Sequence, residues 1–410
     1  MRKASIGTIF FTVFLDLLGF GLVVPYLPGV ARDLGASPFL ATLLGAVYSA
    51  MQFLFVPMWG HFSDRWGRRP ILLVSIALTA VGMAALGTAT TLTGLFIARA
   101  FVGMATANLA VASAYIADIT GPENRSRGMG AIGAAIGLGF VLGPVFGGLL
   151  QAHSPIQRVG AAPAYAAAAL SALNFVLAAI TLPESLRPEI RGKAVRSLSP
   201  FDRRRFQLAL GTPKMVAALA VQFVIVLSFS GMEQTFRLFT TDEFGFKTEQ
   251  TGYVLGVVGV VLITVQAFFI RLFARVFSER ALVRTGVLIE ALGFAGVALS
   301  PAASGAKVGL LVVSMAVIAF GSGLANPSLS ALVSRSTQPS EQGSALGTLQ
   351  SVGALARVFG PTIAGLLYQS LGPQAPYAAA AVGMLIAGAV SFGLGSPSNI
   401  AVKATPVTNV

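Results

Sequence analysis

Apolar stretches close to 20 residues long recur along the whole chain, separated by short polar breaks. A helix needs about that length to cross the hydrocarbon core of a bilayer. The pattern predicts spans at 5–27, 38–59, 70–89, 92–117, 128–150 and 162–182. After a longer polar stretch it predicts six more, at 215–239, 250–270, 285–302, 307–333, 344–369 and 376–395. About twelve helices, at roughly 34 residues per helix and loop, leave no room for a soluble domain. Arg2 and Lys3 precede the first apolar run, as in a cleaved signal, but that run carries Asp16, lacks a small-residue cleavage site and continues to Pro28. It therefore reads as the first span.

Composition agrees with this pattern. Only 10% of the 410 residues are charged and 55% are apolar, against roughly a quarter charged in soluble domains. The chain has no cysteine and two histidines, His61 and His153. Disulfide frameworks, thiolate metal sites and cysteine nucleophiles are thereby excluded, and neither a metal nor a cofactor is expected. The formal net charge of +13 is explained by placement. If the N-terminus is cytoplasmic, 21 of the 28 basic residues fall on the inner side and five outside, while Arg99 and Arg357 lie within spans. This is the positive-inside asymmetry, and it accounts for the charge without nucleic acid. Both termini are expected in the cytoplasm, across a bacterial-type inner membrane.

The two halves of the chain repeat. Thr120, Pro122, Gly130, Gly143, Pro144, Gly148 and Leu150 recur 217 positions later as Thr337, Pro339, Gly347, Gly360, Pro361, Gly365 and Leu367. Phe62-Ser63-Asp64-Arg65 recurs as Phe277-Ser278-Glu279-Arg280 at offset 215, and Asp16 maps onto Glu233. The expected fold is an all-α membrane protein of two pseudo-symmetric six-helix bundles, 1–182 and 215–410, joined by a cytoplasmic linker, 183–214. Parallel duplication with a substrate site between the halves near the midplane is a transporter architecture. Within the linker, Phe201-Asp-Arg-Arg-Arg-Phe206 reads either as a short helix on the inner leaflet or as a solvated connection.

Charged residues inside spans are costly, about 2.5–3.5 kcal/mol each at the centre, so they mark candidate chemistry. Asp16 lies about 13 residues beyond Lys3, about 20 Å along a helix, and so near mid-membrane. A carboxylate there, beside water, can take up and release a proton; the alternative is a satisfied structural residue. Arg99 cannot lose its proton and is expected to face the first span and bias Asp16 toward its ionised form, or else to bind backbone carbonyls. Glu233 and Glu290 are further candidate acids. Arg357 is expected to neutralise one of them. Three acids against two arginines favour protons and cationic or zwitterionic compounds. Tyr48, Gln52, Asn108, Gln234, Phe236, Asn326 and Gln350, with Arg357, are candidates to line a substrate cavity, although each polar residue could equally bond between helices. Gly139, Gly143 and Gly147 share one helical face beside Pro144, a stripe suited to close packing.

Between the second and third spans runs Gly60-His-Phe-Ser-Asp64-Arg65-Trp-Gly67-Arg68-Arg69. This loop resembles the signature loop of the major facilitator superfamily. Asp16-Leu-Leu-Gly19 through Pro25-Tyr-Leu-Pro28, Arg99-Ala-Phe-Val-Gly103 continuing to Ala114-Tyr-Ile-Ala-Asp118, and Gly139-Phe-Val-Leu-Gly143-Pro144-Val-Phe-Gly147-Gly148 resemble the first-, fourth- and fifth-span motifs of its drug/proton antiporters. The resemblance extends to bacterial tetracycline/proton antiporters, where Glu290 occupies the place of an acidic residue; Gly231-Met-Glu233-Gln234-Thr-Phe236 departs from their seventh span. It implies export of a small amphipathic compound in exchange for protons by a monomer in the lipid bilayer, with no catalytic activity. It implies a coupling set of Asp16, Arg99, Glu233 and Glu290, and a leak-resistant seam at Gly139, Gly143, Pro144, Gly147 and Gly148. It also implies a cytoplasmic gate of Gly60, Asp64, Arg65, Gly67, Arg68 and Asp118, with Arg68 paired to Asp118 and Asp64 facing the start of the eleventh span. Glu279 and Arg280 read as a decayed copy of that gate. The rival reading is a proton-coupled uptake carrier or uniporter for a metabolite or lipid.

Overall fold

The computed structural model describes residues 6–106, 108–120, 125–153, 160–186, 191–192, 212–337 and 342–394. The Phe201–Phe206 stretch lies outside them. Among the described residues twelve helices are long and apolar enough to cross a membrane. In the first half these are α1 (Ile6–Asp33), α2 (Pro38–Trp66), α3 (Arg68–Thr88), α4 (Leu92–Ile119), α5 (Ala131–His153) and α6 (Ala161–Thr181). In the second they are α7 (Pro213–Phe244), α8 (Thr248–Phe269), α9 (Glu279–Ala302), α10 (Lys307–Arg335), α11 (Ala345–Leu371) and α12 (Ala375–Gly393).

Polar residues set the helix starts. Ser37, Thr91, Thr212 and Ser278 each accept a backbone N–H from the first turn of α2, α4, α7 and α9, and prolines follow the cap in α2 and α7, where the missing N–H costs nothing. Several helices outrun their apolar stretches. α2 continues to Trp66, so Gly60 is a buried helical residue and not part of a turn. The reversal into α3 is made at Gly67 alone, at φ 107°, a left-handed conformation open to glycine.

The packing follows the duplication. α1 lies on α5 and α6, α2 on α4, and α3 on α4 and α6; in the second half α7 lies on α11 and α12, α8 on α10, and α9 on α10 and α12. The halves meet through α2 against α11 and α5 against α8, contacts that exchange with one another under the repeat. Hydrogen bonds cross between the halves at the end opposite the signature loop. There Arg32 Nη1 donates to Asp242 Oδ1 (2.5 Å) and Phe39 N to Gln369 Oε1 (3.4 Å). Tyr368 Oη holds the other oxygen of Asp242 (2.6 Å).

Candidate functional site

Charged groups from both halves share one region between them. Asp16 on α1 is 4% exposed and Arg99 on α4 only 1%. Glu233 on α7 and Arg357 on α11 are half-buried. The Arg99 guanidinium carbon stands 4.4 Å from the ring centre of Tyr48 on α2, a cation–π contact. Among the described residues its buried Nε and Nη1 have no hydrogen-bond partner. Electrostatic interactions join Glu233 to Arg99 and Arg357, and Tyr48 to Arg99, Asp16 and Arg357. Among the described residues no carboxylate is in direct ion-pair contact with either guanidinium. Arg99 was expected to face Asp16; it lies on Tyr48, and the acid that interacts with it is Glu233. The reason is packing: the segment Leu92–Ala105 that carries Arg99 rests on α2 and α3, whereas the following segment, Asn108–Ile119, meets α1.

Glu290 is elsewhere. It is fully buried in the α9–α10 contact, and neither carboxylate oxygen has a hydrogen-bond partner among the described residues. There Gly286 and Gly321 bring the two backbones so close that a methyl group on Gly321 would stand 2.8 Å from Glu290 Cγ. Without Glu290, two acids and two arginines remain between the halves.

The proposed cavity residues divide. Gln52 Nε2 donates to the Thr106 carbonyl (3.0 Å), Ser75 Oγ to Ala105 O, and Trp59 Nε1 to Met104 O (2.6 Å). These three carbonyls stand where α4 divides into Leu92–Ala105 and Asn108–Ile119. Lipid offers no hydrogen bonds to exposed backbone, so such a break must be satisfied by protein. Gln52 thus serves the backbone of α4. Asn326 donates to Ser322 on its own helix (2.9 Å to Oγ). Gln234 is packed under Gly45 of α2, and Phe236, 1% exposed, belongs to the apolar core. Gln350 is exposed, and the Asn108 side chain lies outside the described residues.

The glycine stripe of α5 forms a three-helix seam. Methyl groups on Gly139 and Gly143 would fall 2.7 Å from Leu17 Cβ and 2.5 Å from Gly21 Cα, both on α1. A methyl group on Gly147 would meet the Leu22 carbonyl, and one on Gly148 would approach Tyr26 Oη and α8. Tyr26 Oη of α1 donates to the carbonyl of Pro144, tying α1 to α5. On the other side, Gly252 and Gly259 of α8 accept the close approach of Pro144 O and Val141.

At the signature loop Arg68 is 6% exposed and ties three groups together. Its Nε donates to Asp118 Oδ2 (3.1 Å) and its Nη1 to Ser63 Oγ (2.7 Å) and to Asp64. Arg65 is exposed. Asp64 is thus held by an arginine of its own half; the start of the eleventh span, which it is expected to face, lies partly outside the described residues. In the second half the tie is rewired. Val283 stands at the position matching Arg68, Arg335 at the position matching Asp118, and Glu279 binds Arg335 directly at 2.6 Å. The copy has kept its link and reversed one sign. Sequence reasoning missed Glu184, which accepts from the backbone N–H groups of Arg68 (2.9 Å) and Arg69 (3.3 Å). An acid directly after Pro183, in a basic stretch, was its only signal.

Comparison with known proteins agrees with this architecture. The model of the Major Facilitator Superfamily matches residues 9–306 and 273–407. The class C tetracycline resistance protein of Escherichia coli is 35% identical over 360 residues, covering 87% of this chain and 88% of the relative. Human major facilitator superfamily domain-containing protein 10 is 30% identical over 423 residues, covering 91% of this chain and 89% of the relative. The crystal structure of the human organic anion transporter MFSD10 (TETRAN) superposes with a TM-score of 0.68 at 26% identity, covering 94% of this chain and 98% of that one. Twelve membrane-crossing helices in two repeated bundles, the signature loop and these matches place the chain in the Major Facilitator Superfamily, to which it belongs.

Proposed function

We propose that this membrane transporter exports a small amphipathic organic compound, cationic or zwitterionic, in exchange for protons, by alternating access. The observation that carries this reading is the group of charges contributed by both halves: Asp16 and Arg99 from the first, Glu233 and Arg357 from the second, gathered around Tyr48. Binding there senses the relative position of the halves, as alternating access requires. Asp16, buried in α1 against the glycine seam, is the principal proton carrier, and Glu233 meets the positive end of the compound. The tetracycline resistance relatives support export. The protein works as a monomer in a bacterial-type inner membrane with both termini in the cytoplasm. Exchange of a monovalent cation for one proton moves no net charge, so the ~2.3 kcal/mol that 100 mV gives each charge is not used, and the pH gradient is the driving force.

The test is proton movement in inverted vesicles, followed with a pH-sensitive dye while lipophilic cations and tetracyclines are added. Substrate-evoked proton efflux that Asp16→Asn abolishes is the expected result. Efflux that survives in Asp16→Asn moves the coupling to Glu233 or Glu290; no efflux with any compound defeats antiport of this class.

A second reading has its own support. Arg99 and Arg357 face a single nearby glutamate, and the MFSD10 relatives include one described as an organic anion transporter. In that reading an arylcarboxylate, not a cation, moves protons in the same vesicles, and in the same direction as itself.

A further inference from the structure

The chain that leaves α6 is bonded both to α4 and to the signature loop. Tyr115 Oη of α4 donates to the Pro183 carbonyl (2.9 Å), and Ser185 Oγ donates to Asp118 Oδ2 (3.0 Å), the oxygen that also receives Arg68 Nε. Gly192 N donates to the Asp64 carbonyl (3.1 Å). Between them stands Glu184. The first N–H groups of a helix have no partners inside it, and a side chain at the N-cap normally supplies one. Here the N-cap of α3 is Gly67, which has no side chain to offer. Glu184 takes its place from far along the chain, 116 positions beyond Arg68, accepting from Arg68 N (2.9 Å) and Arg69 N (3.3 Å). Its negative charge suits the positive end of the α3 dipole. Its carboxylate presses so near Gly67 that any side chain there would collide with Oε2. Arg191 pairs with it at 3.5 Å.

We propose that Glu184 is a positioning residue for the gate: it fixes the first turn of α3 and thereby the direction in which Arg68 reaches Asp64 and Asp118. Residue 68 is held twice, its backbone by Glu184 and its guanidinium by the two aspartates. Because Glu184 opens the connection to the second half, that connection and the gate are fastened to each other. The inference rests on alternating access but not on antiport, since its test needs neither substrate nor proton gradient.

The chain has no cysteine, so spin labels can be placed at Met129→Cys, just before α5, and Val276→Cys, beyond α8, without background. Both positions are exposed, in different halves and at the signature-loop end. Their separation in lipid nanodiscs, measured by electron paramagnetic resonance, reports the ratio of short (closed) to long (open) distances at that end. Glu184→Ala is expected to lower this ratio at least fivefold. Asp118→Asn should lower it similarly, and the two together no further than either alone. Glu184→Gln, which keeps an oxygen acceptor, should recover at least half of the effect. An unchanged ratio in folded Glu184→Ala, or effects that multiply in the double variant, overturns the proposal. If Glu184→Ala does not fold, Glu184→Gln decides in its place. A purely structural cap lowers its melting temperature and leaves the ratio alone, whereas a positioning residue moves the ratio.

Discussion

Single residues in this protein are held to very different tolerances, and burial separates them. Arg68 lies almost entirely out of water between Asp64 and Asp118. Removing one member of a buried, bonded set leaves uncompensated charge and costs roughly 3–5 kcal/mol. Arg68→Ala is therefore expected to lose that much stability, read as a large fall in melting temperature in detergent. Arg335, 71% exposed on its side chain, forms the matching tie with Glu279, and exposed pairs contribute only about 0–1 kcal/mol. Glu279→Ala should accordingly leave the melting temperature nearly unchanged. The glycines of α5 give a second contrast. Gly143→Ala drives a methyl group to 2.5 Å from Gly21 Cα, an overpacking worth about 1–3 kcal/mol. Gly137→Ala, with nothing within 4 Å of the new methyl group, should be neutral or stabilising by about 0.5–1 kcal/mol. A thermal melt of the two variants side by side checks both.

At the scale of the helix, α4 is the informative element. It carries Arg99 on one segment and Asp118 on the other, and the chain between them leaves three carbonyls for Trp59, Ser75 and Gln52 to satisfy. Trp59→Phe keeps the ring and orphans the Met104 carbonyl, at a cost of about 1–3 kcal/mol; a smaller loss would mean that another donor reaches it. This break is also where reading the sequence failed. Residues 92–117 read as one span, because the partners that make a break tolerable come from α2 and α3. Spans, their number and their order were legible, since the bilayer imposes one length on all of them. Their ends were not, because α2 and α7 continue as helix beyond their apolar stretch, to Trp66 and Phe244. The charges were legible as rare and expensive residues, but their partners depend on how helices are turned. Glu290 and Glu233 look alike in sequence, yet one faces a glycine of α10 and the other faces two arginines.

For the whole molecule, hydrogen bonds close the two halves together at the end opposite the signature loop. Asp242 receives Arg32 from the first half and Tyr368 from its own. Asp242→Asn should weaken that closure. A cysteine placed at Leu40, near the junction, is then expected to react several times faster with a membrane-impermeant maleimide, and no change in rate would remove Asp242 from the latch.

The rewired tie at the other end has a consequence for how such a protein is inherited. Asp118 answers Arg68 in one half, Arg335 answers Glu279 in the other, and both bonds begin and end within the same bundle. What the two halves share is a bond at that end of each bundle and not the pair of positions that makes it: Val283 stands where Arg68 would be, and the basic partner sits at 335 instead. A half taken from a relative with the opposite signs would bring its own counterpart with it, so such grafts need not be charge-matched across the junction.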